Sequence, residues 1–189
     1  MPDFHVFLSY TSREEEVKHI QPLVEQYCRE VWKWADLNGV HVFYDHFSLP
    51  QVQYSEIELE GILARHVRRS ELMTSFLSPG YIESRWCRFE AVTKINEPDP
   101  VTHAIYWKPD IWRYTDVFPN GVPRHPESFF RHFGGRLKWT DVTYAYWSPT
   151  RLLEAASECA RDTAAIITNA YPGLIRFPFL LNEGAHRLF

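Results

Sequence analysis

Short apolar runs alternate with longer amphipathic stretches along this chain, and the two patterns predict different elements. Short, mostly apolar runs are typical of buried strands. They predict strands over residues 4–9, 40–45, 72–77, 101–107 and 137–144. Between these runs, apolar residues recur at helical spacing, which predicts one helix that ends near residue 38 and others over 55–69, 84–96 and 148–170.

Caps and breakers refine the boundaries of the first helix. Ser12 and Glu15 form a capping-box pattern ahead of it. Pro22 then interrupts the pattern, so either the helix proper begins with Pro22 in its first turn or the helix kinks there. Gly39 is expected to end this helix as a C-cap residue.

The later boundaries come from serine and proline. Ser148-Pro149 places a cap before a proline at the first helical position. Residues 46–54 are expected to form a loop, and Ser78-Pro79-Gly80 to break the chain after the third strand. In the helix over 55–69, the side chains expected to point inward are Ile57, Ile62, Leu63 and Val67.

The order of elements predicts an α/β fold. Strands alternate with helices through short connections, and this order requires right-handed crossovers and a parallel sheet covered on both faces. We therefore expect a flavodoxin-like three-layer fold, with a central parallel five-stranded sheet and helices on both faces. Residues 1–170 are expected to form the domain. Residues 171–189 are expected to be a C-terminal extension packed on it, and 108–136 are expected to be irregular.

Composition excludes several classes of protein. The 189 residues are 45% hydrophobic and 16% aromatic, which is enough to form a core. The formal net charge is −4 and no basic patch stands out, so we do not expect nucleic-acid binding. No apolar run approaches the ~18 residues of a membrane span. Three distant cysteines and no signal-peptide pattern favour a cytoplasmic, reducing location.

Candidate chemistry is sought where each strand ends, because open parallel sheets bind ligands at their carboxyl edge. After the first strand come Ser9, Tyr10, Ser12 and Arg13, whose hydroxyls and guanidinium can hold phosphate oxygens. The competing interpretation is that Ser12 caps the helix and Arg13 is solvated. Asp45 follows the second strand and, by itself, is typical of an ordinary turn.

The helix after the third strand carries Trp86 and Glu90, four residues apart and so on one face. An indole beside a carboxylate should remove water from it and raise its pKa. The alternative is that Trp86 belongs to the core and Glu90 to the surface. Cys87 is interpreted as a small buried residue rather than a reactive thiol. No GxGxxG, Walker, HExxH or GxSxG motif occurs.

Together these segments resemble the TIR domain family. Residues 4–10 are similar to its first signature, an apolar strand that ends in Ser-Tyr, and 42–50 are similar to the second strand and its BB loop. The most specific match is Ser78-x-x-Tyr81-x-x-Ser84-x-Trp86-Cys87-x-x-Glu90. The likeness spans roughly residues 3 to 107 in the correct order. One departure is Gln51, where a glycine commonly follows the BB-loop proline.

The resemblance implies an activity and a pocket. TIR enzymes that cleave NAD keep a glutamate on the third helix, which by position is Glu90 here. The resemblance also implies that the pocket is lined by Ser9, Tyr10, Ser12, Arg13, Asp45 and Trp86. NAD would be the substrate, with no cofactor or metal. The product would be ADP-ribose or a cyclic ADP-ribose isomer.

The biological setting is also an expectation from the resemblance. The chain looks like a bacterial-type, stand-alone TIR enzyme whose product signals to a separate effector protein, as in antiphage systems such as Thoeris. Self-association through TIR–TIR contacts is expected. Two alternatives stay open: a non-enzymatic TIR interaction module, and an enzyme like the nucleoside deoxyribosyltransferases, which also place a carboxylate on a flavodoxin-like sheet.

Overall fold

The computed structural model describes residues 6–12, 14–49, 53–108 and 136–173, for a few of which only the backbone is described. Outside these ranges lie the predicted irregular segment, most of the C-terminal extension, Arg13 and residues 50–52 of the BB loop. The elements in chain order are β1 (Val6–Ser9), α1 (Glu14–Asn38), β2 (Val42–Phe43), α2 (Asp45–Ser48), α3 (Glu56–Arg69), β3 (Leu72–Leu77), α4 (Pro79–Glu83), α5 (Arg85–Ile95), β4 (Val101–Tyr106), β5 (Arg136–Asp141) and α6 (Pro149–Ala170).

The five strands form one parallel sheet in the order β2-β1-β3-β4-β5. Every residue of β1, β3 and β4 is buried, as expected for strands covered on both faces. Helices α1 and α6 cover one face of the sheet, and α3, α4 and α5 cover the other. The predicted flavodoxin-like three-layer fold with a five-stranded parallel sheet is therefore confirmed.

Helix α1 is continuous through Pro22, so the helix does not begin at that proline. It begins at Glu14, and its buried stripe follows the predicted helical spacing. Gly39 adopts a φ of +67°, and the Gly39 and Val40 amides donate to the carbonyls of Asp36 and Ala35. This Schellman ending confirms the predicted C-cap, because the left-handed conformation favours glycine.

Helix α3 begins with a complete capping box. The Ser55 hydroxyl accepts from the Glu58 amide, and the Glu58 carboxylate accepts from the Ser55 amide. One inward prediction on this helix is wrong, because Ile57 is 83% exposed. The inward stripe runs through Leu59, Leu63 and Val67, and Ile57 lies about 200° around the helix from Leu59.

Several predicted boundaries are corrected by short-range structure. The segment after β2 is not a plain loop, since one turn of helix, α2, forms within it. Ser78-Pro79-Gly80 does not simply break the chain: Ser78 caps α4, with Pro79 in its first turn. Strand β5 ends at Asp141, earlier than predicted, because a 3-10 turn over Thr143–Ala145 follows it. In the part of the chain that is described, no helix is long and apolar enough to cross a membrane.

Candidate functional site

A cavity of about 540 Å³ opens at the carboxyl edge of the sheet. It lies beside the carboxyl end of β1, the strand next to the β1/β3 position at which the chain order of the strands reverses, and ligands of open α/β sheets bind at such a position. Its volume is in the range of small-molecule sites. The lining residues described are Tyr10, Ser12, Asp45, Leu49, Gln53, Tyr54, Leu59, Leu63, Ser84, Trp86, Cys87 and Glu90.

Glu90 points into this cavity from the middle of α5 while keeping only 8% of its surface exposed. Its carboxylate accepts a hydrogen bond from the hydroxyl of Ser9, the last residue of β1. Burial raises the pKa of Glu90 to about 8, the Ser9 bond acts in the opposite direction, and the charge of Asp45 adds to the rise. The interpretation of Glu90 as a surface residue is therefore wrong.

The hydroxyl of Ser9 belongs to a buried cluster behind Glu90. Ser9 Oγ lies 3.1 Å from the Tyr81 hydroxyl, which lies 3.0 Å from Ser75 Oγ. Ser9 and Ser75 are register partners on adjacent strands, so they emerge on the same face of the sheet. Ser9 and Tyr81 are each 1% exposed and Ser75 is fully buried. Ser9 thus supports Glu90 from below instead of lining the cavity.

Tyr10 and Asp45 form the second polar part of the cavity. Burial raises the pKa of the Tyr10 phenol, and the charge of Asp45 and hydrogen bonds to Tyr44 and Asp45 raise it further. Tyr10 therefore stays a neutral donor to Asp45. The rings of Tyr10 and Tyr44 pack with their centroids 5.4 Å apart. Asp45 is half-buried and is the first residue of α2, two residues after the end of β2.

Trp86 forms a half-buried wall of the cavity near its rim. Its ring packs edge-to-face with Phe89 at 6.5 Å, and the guanidinium of Arg85 lies 5.5 Å from the ring centroid. Arg85 also pairs with Glu56 at 3.1 Å and Glu60 at 2.8 Å on α3. These contacts join the first turns of α3 and α5 beside the cavity.

The structure brings most of the expected site residues together. Tyr10, Ser12, Asp45, Trp86 and Glu90 line one cavity, and Ser9 contacts Glu90 from behind. Ser12 is exposed at the rim. Arg13 lies outside the described residues, so its expected role stays a prediction.

Sequence reasoning missed the contribution of α3 and of the segment before it. Gln53, Tyr54, Leu59 and Leu63 also line the cavity. The apolar spacing of Leu59 and Leu63 signals only that they face inward. Tyr81 was part of the quoted motif, but nothing local indicates that its hydroxyl reaches β1.

Cys87 lines the cavity next to Glu90 and is a buried free thiol. Its sulfur donates to the Tyr10 carbonyl at 3.3 Å. Burial, with the charge of Glu90, raises the pKa of this thiol, so the interpretation as a small buried residue holds. Within the described ranges, no group of three or more His, Cys, Asp or Glu side chains is arranged to hold a metal.

A second polar cluster, formed around Glu16, joins three elements near the same edge. The Glu16 carboxylate accepts from the Ser78 hydroxyl, from the Gly80 amide at 3.1 Å and from Lys108 at 3.1 Å. Only 7% of Glu16 is exposed. The first turn of α1 is thereby joined to α4 and to the end of β4.

No family model matches the sequence, and no curated protein matches it. Among solved structures, the chain is similar to the TIR domains in a structure of the activated Roq1 resistosome directly recognizing the pathogen effector XopQ. The match has 18% sequence identity and a TM-score of 0.38, and covers 84% of each chain. The flavodoxin-like fold assigned above rests on the strand order and parallel pairing of this chain itself.

Proposed function

We propose that this chain is a TIR-type enzyme that cleaves the bond between nicotinamide and ribose in NAD⁺, with Glu90 as the catalytic residue. The observation that carries the proposal is the burial of a single glutamate at the cavity floor, below an indole, at the ligand edge of the sheet. The resemblance of residues 78–90 to the third TIR block agrees with it.

One carboxylate is sufficient for this reaction. Ordinary glycosidases need a second group to protonate the leaving oxygen. Nicotinamide in NAD⁺ is already cationic, so the electron pair of the breaking C1′–N bond neutralises it and it departs without a proton. The positive charge that grows on the ribose is then stabilised by the ionised Glu90. Water adds to C1′ and releases one proton, which yields ADP-ribose.

The charges of the cavity support a cationic ligand. Among its described lining residues, Asp45 and Glu90 are carboxyl groups and none is Lys or Arg. A pKa of about 8 leaves Glu90 mostly protonated at pH 7. A nearby positive charge favours the ionised form of a carboxyl group, so binding of the nicotinamide cation itself would ionise Glu90. At low NAD⁺ concentration, where the free enzyme predominates, the rate should therefore rise with pH towards 8.

The aromatic and polar groups of the cavity divide between the parts of the substrate. Trp86 and Tyr54 offer flat surfaces for the nicotinamide ring. Ser12 and Arg13, which follow β1, are proposed to contact the diphosphate. Exclusion of water from the reacting carbon would direct it to an internal nucleophile and give a cyclic ADP-ribose isomer. We propose such a product as a signal to a separate effector in antiphage defence.

The direct test is nicotinamide release from NAD⁺, followed by chromatography with mass analysis of the products. Glu90→Gln should reduce the rate by about 100-fold or more, since it removes the charge that faces the transition state. Glu154→Gln is the matched control, because this exposed glutamate lies on α6, away from the cavity. Equal rates for wild type and Glu90→Gln would overturn the assignment of Glu90.

The same assay separates the alternatives when it is run over a range of protein concentrations that spans self-association. Intact NAD⁺ at every concentration would indicate a TIR interaction module instead of an enzyme. Base exchange between deoxynucleosides, with NAD⁺ left intact, would indicate a deoxyribosyltransferase-like activity.

A further inference from the structure

The buried hydroxyl cluster behind Glu90 stands out on an otherwise apolar surface. On the face of the sheet covered by α3, α4 and α5, the neighbouring inward residues are Phe7, Met73 and Leu77. Ser9 and Ser75 interrupt this surface at one register position, and the Tyr81 hydroxyl reaches both of them. Two buried hydroxyl groups on adjacent strands have no packing purpose that alanine would not meet, so their polar function needs an explanation.

Each hydroxyl in this cluster has one proton, which limits the bonds it can donate. Ser9 lies within reach of both Glu90 and Tyr81 but can donate to just one of them at a time. When Glu90 is ionised, Ser9 must donate to it. When Glu90 is protonated, Glu90 can donate to Ser9, Ser9 to Tyr81, and Tyr81 to Ser75, in one continuous direction.

We propose that Ser9, Tyr81 and Ser75 form a hydroxyl chain in which Ser9 donates to Glu90 when that group is ionised and to Tyr81 when it is protonated, so that Ser9 favours the carboxylate and Tyr81 favours the carboxylic acid. The proposal rests on the proposed function only where it concerns rates. Ser9 and Tyr81 are positioning residues in this scheme, because they act through Glu90.

The opposite effects follow from counting bonds in each state. The Ser9 bond to the carboxylate is charge-assisted, and such bonds are about twice as strong as neutral ones. Loss of the Ser9 hydroxyl therefore destabilises ionised Glu90 more than protonated Glu90. Tyr81 donates to Ser75 in both states, but it accepts from Ser9 only when Glu90 is protonated, because the single Ser9 proton otherwise goes to the carboxylate. Loss of the Tyr81 hydroxyl therefore destabilises protonated Glu90 more than ionised Glu90.

Other titratable groups around Glu90 do not reverse these signs. Those facing the cavity are Tyr10 after β1, Asp45 in α2, Tyr54 before α3 and Cys87 in α5. Tyr81 in α4 lies behind Glu90, against Ser9. Burial raises the pKa of Tyr10, Tyr81 and Cys87, so these groups stay neutral. Asp45 contributes a negative charge in wild type and in both variants alike.

The test is a pH titration of Glu90 by NMR in protein labelled with ¹³C at glutamate carboxyls. The Glu90 signal is identified by its absence in Glu90→Gln. We expect its inflection at higher pH in Ser9→Ala and at lower pH in Tyr81→Phe. The matched control is Tyr27→Phe, which removes an equally buried hydroxyl, bonded to Thr163 at 2.8 Å, on the opposite face of the sheet. It should leave the Glu90 inflection unchanged.

Shifts in the same direction in both variants, or no shift, would overturn the proposal, because general loosening of the site would not produce opposite signs. Tyr81→Phe keeps the ring, and circular dichroism confirms that each variant is folded. In the NAD⁺ assay, Ser9→Ala should lose about tenfold at pH 7 and recover as pH rises, since each pH step of one below the pKa costs tenfold in ionised Glu90. Failure of NAD⁺ cleavage alone would leave the titration result standing.

Discussion

Burial of Glu90 favours the uncharged form of its carboxyl group. Its pKa of about 8 in the folded chain compares with 4.5 for an unperturbed glutamate. The folded state therefore binds this proton more tightly than the unfolded state does. The stability that this contributes is complete below about pH 4.5 and is lost as pH rises through about 8. A residue kept for chemistry commonly lowers stability in this way.

The stability of Glu90→Gln should accordingly depend on pH in a distinctive way. Glutamine stays neutral, so the variant should unfold near the wild-type temperature at pH 5 and roughly 5 °C or more above it at pH 9. Thermal unfolding followed by circular dichroism measures both. Glu154→Gln, on the exposed side of α6, should follow the wild type throughout. A variant that is less stable than wild type at pH 9 would contradict the assigned pKa.

Polar contacts between elements join the helices near the carboxyl edge of the sheet. The Glu16 cluster joins α1, α4 and β4, with 9% of the Glu16 side chain and 21% of the Lys108 side chain exposed. Removal of Glu16 takes an ion pair from Lys108 and leaves the buried Gly80 amide without its carboxylate acceptor, which is costly.

Glu16→Ala should therefore lower the free energy of unfolding by roughly 2–4 kcal/mol, measured by urea denaturation. Lys108→Met should cost less in this background than in the wild-type chain, since its ion pair with Glu16 is already absent. A double-mutant cycle with the two single variants gives the coupling. Additive effects of the two substitutions would show that the pair does not act as a unit.

The Arg85 contacts with α3 are of a different kind, because they are exposed. The Arg85 side chain is 58% exposed and that of Glu56 is 70% exposed. Pairs of this kind contribute little to global stability. Their effect is expected to be local, on the first turn of α3 and the cavity wall beside it.

Arg85→Met should leave the free energy of unfolding almost unchanged but speed amide hydrogen exchange in the first turn of α3. Exchange measured by mass spectrometry resolves this segment. Arg65→Met, an exposed change in the middle of the same helix, should leave exchange there unaltered. Unchanged exchange in Arg85→Met would show that the capping box of α3 holds the turn without this contact.

At the scale of the whole molecule, a buried hydrogen-bond network connects the sheet to α1 and α6, on the face opposite α3 and α5. Thr140 donates to Asp162, so it accepts from His103 Nε2, 2.8 Å away. The neutral ring then accepts at Nδ1 from Thr163, 3.0 Å away, and the Thr163 hydroxyl lies 2.8 Å from that of Tyr27. The network holds His103 neutral, and burial lowers its pKa to about 4.

This network predicts sensitivity to acid. The unfolded chain protonates its histidines near pH 6.5, so the stability that depends on neutral His103 is complete above that pH and is lost as pH falls through about 4. Between pH 7 and 4, wild type should lose about 3 kcal/mol more than His103→Gln does. Urea unfolding at several pH values measures the difference, and His41→Gln, at an exposed site, should keep the wild-type slope. Parallel slopes for wild type and His103→Gln would contradict the account.

The order of elements was predictable from the sequence because it depends on local spacing. Apolar runs marked the five strands, and Gly39, Ser55 and the Ser148-Pro149 pair marked helix ends. Ile57 was misplaced because apolar character alone does not fix the side of a helix. The one-turn helices α2 and α4 were missed because four or five residues are too few for a periodic pattern to show.

The candidate site was also predictable only where it depends on local spacing. Local spacing placed Trp86 and Glu90 on one helix face, and the carboxyl edge of a parallel sheet gathered Tyr10, Ser12 and Asp45 nearby. The protonation of Glu90 was decided by the tertiary structure, because burial and the Ser9 hydroxyl, 81 residues away, act on it together. Contacts between distant segments depend on how whole elements pack, and no spacing within one element encodes them.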